Sequence, residues 1–174
     1  MSPASFKEGT VGLLDKVSGM TLGVWQTRPK SNGYVRINSK NIHEPPIINP
    51  NYLSDPYDID VLLKSIRIGR NFLSTSPLQP YLNGKANPSH NLQTDDELLS
   101  WARNEGITVY HMIGTAKMGP KSDKMAVVNN ELQVRGIESL RVADASIMPA
   151  MPSGNTNAPT MMIAEKASDM ILGK

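Results

Sequence analysis

The stretch Ser153-Gly-Asn-Thr-Asn-Ala-Pro-Thr160 decides what the sequence predicts for this chain. It follows a strand-like run at residues 140–143 and precedes an apolar, helix-patterned segment predicted over residues 159–172. The N–H groups of the first turn of a helix have no partner within that helix, so they favour an anionic or carbonyl-bearing ligand. The pattern therefore predicts a ligand site at the beginning of the last helix.

Composition excludes several classes of protein. The chain has 174 residues, 39% hydrophobic residues and a mean hydropathy of −0.31, which is typical of a soluble globular protein. It lacks any run of the roughly 20 apolar residues that a transmembrane helix needs, and its net charge of +2 with scattered cations does not predict nucleic-acid binding. Without cysteine there are no disulfides or thiolate sites. Since no signal-peptide pattern is present, we expect a cytoplasmic protein, with association at a membrane surface left open.

The order of predicted elements favours an α+β fold, because strands and helices do not alternate with the short spacing of βαβ units. An Asn32-Gly33 hairpin turn is predicted between the first two strands, and the Pro-rich segment 38–56 is predicted to hold one short strand. No Gly-x-Gly-x-x-Gly dinucleotide loop occurs. The predicted strands are 21–27, 34–37, 107–110, 127–134 and 140–143, and the predicted helices are 59–73, 95–104 and 159–172.

His111 is the candidate general base, because a histidine side chain can accept a proton near neutral pH. It follows a predicted strand and precedes a Gly-Thr turn. A buried histidine bonded to a backbone carbonyl is the alternative. His43 and His90 lie in loops rich in Pro and Asn, where a structural role is expected. No spacing of His or carboxylate residues resembles a metal site.

Polar residues around the last helix are the other candidates. Asn155 and Asn157 can each donate and accept hydrogen bonds without titrating. Asn157 also suits a helix cap, since Pro159 follows in the first turn, whereas Asn155 is not needed for capping and is more readily explained by a functional role. Asp144 ends the predicted buried strand 140–143, where a bond to backbone amides is the alternative to cofactor binding.

The chain resembles the glucose–methanol–choline flavin oxidoreductases, and most of all their choline-dehydrogenase-like alcohol dehydrogenases. The resemblance covers residues 25–171. It is carried, in order, by the motifs Pro45-Pro-Ile-Ile-Asn-Pro-Asn-Tyr-Leu-Ser-Asp55, Tyr110-His-Met-Ile-Gly-Thr115, Lys117-Met-Gly119, Val127-Val-Asn-Asn-Glu-Leu-Gln-Val-Arg-Gly-Ile137, Leu140-Arg-Val-Ala-Asp-Ala-Ser-Ile-Met-Pro149 and Gly154-Asn-Thr-Asn-Ala-Pro-Thr160.

This resemblance implies an FAD-dependent oxidation of a CH–OH group in a small-molecule alcohol. His111 would take the hydroxyl proton while a hydride passes to the flavin, and Asn155 would bind the substrate oxygen. The helix beginning near Pro159 would stabilise negative charge on the ring. The residues implied to line the FAD are Asp144, Ala145, Asn157 and Thr160.

The resemblance also implies that an N-terminal FAD-binding half is missing. Residues 10–135 would form the substrate-binding domain, a mostly antiparallel sheet with flanking helices. Residues 136–174 would be a strand and a helix that complete the FAD-binding domain. The isolated chain would then be inactive without that half. The alternative hypothesis is a stand-alone binding or interaction module that keeps the fold without flavin chemistry.

Overall fold

The computed structural model describes residues 1–6, 12–82 and 87–174, and its fold is α+β, as the sequence predicts. The chain forms two compact units, one of Met1–Gln26 with Leu53–Val109 and one of Thr27–Tyr52 with Tyr110–Lys174. The domain boundary near residue 135 remains a prediction for the longer enzyme. The predicted beginning of the substrate-binding domain at residue 10 lies outside the described residues.

Helix α1, Pro56–Leu73, begins where the sequence places a cap and a proline. Asp55 is the N-cap, and its carboxylate accepts a hydrogen bond of 2.8 Å from the backbone N–H of Tyr57. Pro56 occupies the first turn, where its missing N–H has no cost. The predicted helix over 59–73 is therefore confirmed, with three further residues at its N-terminus.

Helix α2, Asp95–Glu105, corresponds to the predicted helix 95–104, and it is opened by a capping box and closed by a glycine. The Thr94 hydroxyl accepts from the backbone N–H of Glu97, whose carboxylate accepts in return from the backbone N–H of Thr94. At Gly106 a Cβ would lie only 2.3 Å from the carbonyl oxygen of Ala102, so only glycine fits this close approach. The first unit has its core between α1 and α2, at Leu63, Ile66, Leu98 and Ala102.

The carboxylate of Glu97 makes the stability of this unit depend on pH. Hydrogen bonds from the backbone N–H groups of Thr94 and Gln93 lower the pKa of Glu97 below its ordinary value of 4.5. Because the folded-state pKa is depressed, the stabilisation is complete above the unfolded-state pKa and is lost as the pH falls through the folded-state value.

We expect Glu97→Gln to lower the melting temperature at neutral pH and to differ less from the parent as the pH falls below about 4.5 and through the lower folded-state pKa of Glu97, because protonation of Glu97 makes both side chains neutral. Thermal unfolding followed by far-UV circular dichroism across this pH range measures the difference. Glu44→Gln, at an exposed loop carboxylate, is the control and should follow the parent at every pH. A constant difference between Glu97→Gln and the parent would contradict the assignment.

The second unit contains a short antiparallel sheet. Strand β1, Tyr34–Arg36, pairs with strand β2, Ile47–Asn49, in the register Val35 opposite Ile48. The predicted strand at 34–37 and the predicted short strand within 38–56 are both confirmed. Every residue of the two strands is exposed, so the sheet contributes no buried core among the described residues.

The predicted strand at 21–27 and the Asn32-Gly33 hairpin turn are wrong. Among the described residues, segment 21–27 pairs only through one bridge between Thr21 and Ser2, because β1 takes β2 as its partner. Gly33 does not adopt a positive φ. A Cβ there would lie 1.9 Å from the carbonyl oxygen of Asn49, so the glycine permits close backbone approach instead.

The late strands are replaced by loops held through single bridges. Residues 107–110 form no strand. In place of the predicted strands 127–134 and 140–143, isolated bridges join Val128 to Met118 and Val134, and Gln133 to Arg141. Segment 140–143 is only partly buried, so the prediction of a buried strand is wrong. Among the described residues, its β-bridge is the one between Arg141 and Gln133.

Helix α3, Asn157–Leu172, ends the chain and covers the core of the second unit. Gly173 terminates it with a φ of 68°, a left-handed conformation that glycine adopts without steric cost. In the part of the chain that the structure describes, none of the helices has the length and apolar character needed to cross a bilayer. The buried core residues of this unit are Val128, Leu132, Ile147, Met148, Ile163 and Ala167.

Candidate active site

His111 lies in a tight loop of the second unit and is half-buried. The preceding residue, Tyr110, has a φ of 59°, a left-handed conformation that costs a residue with a side chain roughly 1–2 kcal/mol. Three residues after His111, Gly114 has a φ of 83°, and a Cβ there would lie 3.4 Å from the carbonyl oxygen of Met148. Two unusual backbone conformations therefore set the direction of the His111 segment.

The side chains of His111 and Asn155 meet although 44 residues separate them in sequence. The Asn155 amide nitrogen lies 3.0 Å from Nε2 of His111. On the other side of the ring, the Thr156 hydroxyl oxygen lies 3.0 Å from Nδ1. Consecutive residues before α3 thus hold both nitrogens of one imidazole.

This arrangement selects one tautomer of His111. An amide nitrogen carries hydrogens and can only donate, so Nε2 is the acceptor in the bond from Asn155. The ring proton is then on Nδ1, from which it is donated to the Thr156 hydroxyl. His111 therefore presents an unprotonated Nε2 beside an exposed amide, which is the form that a general base requires.

Thr156 is a site residue that the sequence analysis missed, and the predicted cap is wrong. Thr156, not Asn157, is the N-cap of α3, and Asn157 is the first helical residue. The Thr156 side chain makes no capping bond. The third helical residue is Pro159, which has no N–H to donate to a capping hydroxyl, so the hydroxyl is available to His111. A threonine three residues before a proline was the signal in the sequence.

The loop before α3 has a second anchor in Arg28. Its Nε donates a hydrogen bond of 2.7 Å to the hydroxyl of Ser153, two residues before Asn155. Nothing in the local sequence pairs these residues, which are 125 positions apart. The bond restrains the loop that carries the Asn155 amide.

The motif that follows His111 is structural. The Lys117 ammonium contacts the Asp123 carboxylate at 2.7 Å, and this hydrogen bond is the main reason that the pKa of Asp123 lies below its ordinary value. A Cβ on Gly119 would lie 2.9 Å from the Cβ of Ala126, so the glycine permits close packing. These contacts fix the loop that runs from the candidate base into the core.

Of the four residues expected to line a cofactor, Asn157 and Thr160 lie in the first turn of α3, and Asp144 and Ala145 lie at the beginning of a 3₁₀ helix that contacts α3. Asp144 accepts bonds at Oδ1 from the backbone N–H and hydroxyl of Ser146, so it caps the 3₁₀ helix Ala145–Ile147 that packs on α3. The Thr160 hydroxyl donates to the carbonyl oxygen of Thr156. The Asn157 amide contacts the sulfur of Met161 at 3.8 Å. Local contacts thus engage one polar side-chain atom each of Asp144, Asn157 and Thr160, and the cofactor role of the four residues stays a prediction.

The family of the chain follows from its match to known proteins. The family model described as GMC oxidoreductase, built on the C-terminal domain of these enzymes, matches residues 29–164. The chain belongs to the GMC oxidoreductase family, and it is similar to enzymes that oxidise alcohols. It is 42% identical over 156 residues to an alcohol dehydrogenase [acceptor] of Pseudomonas putida and 46% identical over 145 residues to an oxygen-dependent choline dehydrogenase of Staphylococcus haemolyticus.

Solved structures of the family show the same fold. The chain matches part of an FAD-dependent oxidoreductase from Chaetomium thermophilum with a TM-score of 0.76 and 33% identity, covering 83% of this chain and 25% of that one. A fungal aryl-alcohol oxidase matches with a TM-score of 0.74 and 32% identity, covering 84% of this chain and 24% of the oxidase.

The chain spans only part of its relatives. The match covers 90% of this chain but 28% of the Pseudomonas putida enzyme, and 83% of this chain but 26% of the Staphylococcus haemolyticus enzyme. Membership of an oxidoreductase family therefore applies to the segment present. The activity of a whole enzyme does not follow from it alone.

The beginning of α3 fits the flavin that this family implies. The N-cap residue Thr156 makes no side-chain hydrogen bond to the first turn of α3, and the N–H groups of that turn lie at the positive end of the helix dipole. Such an end favours negative charge on a bound ring. The described residues contain no group of three or more His, Cys, Asp or Glu that could bind a metal ion.

Proposed function

We propose that this chain is the C-terminal part of an FAD-dependent alcohol oxidoreductase that oxidises a CH–OH group. The observation that carries the proposal is the pairing of Nε2 of His111 with the Asn155 amide at 3.0 Å, beside the uncapped end of α3. The similarity to an alcohol dehydrogenase of Pseudomonas putida supports the same class of reaction.

His111 is the general base in this proposal. Its unprotonated Nε2 accepts the hydroxyl proton of the alcohol, which prepares the oxygen to become a carbonyl. The Asn155 N–H that otherwise donates to Nε2 is released when the substrate hydroxyl takes its place as donor. That N–H then donates to the substrate oxygen, where negative charge develops as the proton leaves.

Asp144, Ala145, Asn157 and Thr160 are the residues proposed to hold the FAD. When bound, FAD supplies the acceptor for the two electrons and the hydrogen that leave the carbinol carbon. The carboxylate of Asp144 is exposed, and both of its local bonds go to Oδ1, so Oδ2 can accept from a ligand. The N–H groups at the beginning of α3 stabilise negative charge that develops nearby.

The proposal requires a partner that supplies the rest of the enzyme. Because the chain covers about a quarter of the length of its relatives, we propose that an FAD-binding half completes the site. Residues 10–135 then belong to the substrate-binding domain and residues 136–174 to the FAD-binding domain. The substrate class is a small-molecule alcohol.

We expect the chain to retain flavin only when that half is present. The test is to co-express it with the remaining N-terminal portion of the Pseudomonas putida relative and to measure visible flavin absorbance after purification. Alcohol-dependent reduction of an artificial electron acceptor should appear in the assembled flavoenzyme and be absent from the chain alone.

A stand-alone binding module predicts a different result. If the two parts co-purify as a soluble complex but contain no flavin and reduce no acceptor with any primary or secondary alcohol tested, the proposed function is wrong. The unmodified Pseudomonas putida enzyme, purified and assayed in the same way, controls for loss of flavin during preparation.

A further inference from the structure

We propose that Thr156 is a positioning residue that, together with the Asn155 amide, holds the ring proton of His111 on Nδ1 and so keeps Nε2 available to accept a proton. This inference rests on the proposed function, in which His111 is the base. Thr156 contacts Nδ1 of the imidazole and not Nε2, the atom proposed to accept the proton. The resemblance to the family implied no role for this residue.

The contact is made by a nearly buried hydroxyl. Thr156 is 8% exposed, and its Oγ1 lies 3.0 Å from Nδ1 of His111. A hydroxyl can act as donor or acceptor, but the Asn155 N–H opposite makes Nε2 an acceptor and leaves the ring proton on Nδ1. Thr156 Oγ1 is thus the acceptor for that proton.

The helix start keeps Thr156 in place. Its carbonyl oxygen accepts bonds from the backbone N–H of Thr160 at 3.0 Å and from the Thr160 hydroxyl at 2.6 Å. A β-branched side chain has few χ1 rotamers, so an anchored backbone fixes the direction of the hydroxyl. Pro159 removes the N–H that would otherwise compete for this hydroxyl as a cap.

Without this hydroxyl, the proton on Nδ1 loses its acceptor, and only the Asn155 amide opposite still favours the Nδ1 tautomer. The tautomer of a histidine is set by the hydrogen bond that its other nitrogen makes. An imidazole protonated on Nε2 cannot take the proton of the substrate through that atom. Loss of the Thr156 hydroxyl should therefore reduce the fraction of enzyme in which His111 can act as a base.

Two variants separate the hydroxyl from packing. Thr156→Val keeps the size and branching of the side chain but removes the hydroxyl, whereas Thr156→Ser keeps the hydroxyl. In the assembled flavoenzyme we expect Thr156→Val to lower kcat by about tenfold or more with little change in KM, as for other residues that orient a functional histidine. Thr156→Ser should restore kcat close to the parent value, and both variants should retain flavin.

The tautomer itself is measured in the 174-residue chain by 15N NMR of labelled imidazoles, with His43→Gln and His90→Gln variants assigning the His111 signals. We expect protonation on Nδ1 in the parent and in Thr156→Ser, and a shift toward Nε2 in Thr156→Val. Protonation on Nε2 in the parent, or an unchanged tautomer in Thr156→Val, would overturn the inference whatever the activity.

This readout separates the two proposals. A tautomer that shifts in Thr156→Val while kcat stays at the parent value would support the positioning contact and instead refute His111 as the base. A fall in kcat that Thr156→Ser fails to restore would overturn the role of the hydroxyl, because packing alone would then explain the loss.

Discussion

His111→Ala is expected to lower kcat of the assembled flavoenzyme by at least about a hundredfold, the usual contribution of a positioned general base. The substitution removes the acceptor Nε2 and leaves the Asn155 amide without its present partner. Steady-state rates with a primary alcohol and an artificial electron acceptor measure the effect. The loss should appear in kcat and kcat/KM together, since the proton is transferred in the transition state.

The other histidines provide matched controls. His43 and His90 are both exposed and lie outside the contact with Asn155, so alanine at either position should leave kcat unchanged. Flavin absorbance must be retained in His111→Ala to show that the site is assembled. Near-normal turnover in His111→Ala with full flavin content would refute the assignment of the base.

The helices were predictable because their boundaries are set locally. Asp55 before Pro56 specifies where α1 begins, and the capping box from Thr94 to Glu97 specifies the beginning of α2. Each signal needs only residues within one turn of the helix end. Such contacts form in the same way whatever the rest of the chain does.

The strands were predicted less well because pairing depends on distant residues. The run 107–110 has the apolar character of a strand but forms no strand among the described residues, and Tyr110 turns the chain with a left-handed φ. Segment 140–143 forms a bridge at Arg141 alone. Hydrophobic pattern shows that a segment can join a sheet, not that neighbouring strands are present to complete it.

Parts of the site were predictable for different reasons. His111 and Asn155 were candidates from their residue chemistry and position, the family resemblance implied their roles, and the structure brings their side chains within 3.0 Å. The contact with Thr156 was not anticipated, because capping preference alone favoured Asn157 as the helix cap. Pro159 has no N–H that the Thr156 hydroxyl could cap, and the imidazole of His111, 45 positions away, takes its place as the partner of that hydroxyl. Local sequence shows the first of these facts but not the second.

Asn155→Asp is the second variant with a large expected effect. A carboxylate has nearly the shape of the amide but can only accept, so it favours a proton on the facing Nε2 of His111. The base is then occupied, and the substrate oxygen also loses its donor. We expect kcat to fall by about a hundredfold or more at neutral pH, comparable to the loss of an oxyanion-hole donor.

Asn155→Ala separates these two effects, because it removes the donor without placing a charge beside Nε2. We expect Asn155→Ala to retain more activity than Asn155→Asp, whereas Asn41→Asp, at an exposed loop position, should behave as the parent. If Asn155 served only to shape the loop that Arg28 and Ser153 restrain, the near-isosteric aspartate would be the milder change. The order of the two variants in kcat therefore decides whether the Asn155 amide acts on the imidazole through its hydrogen bond.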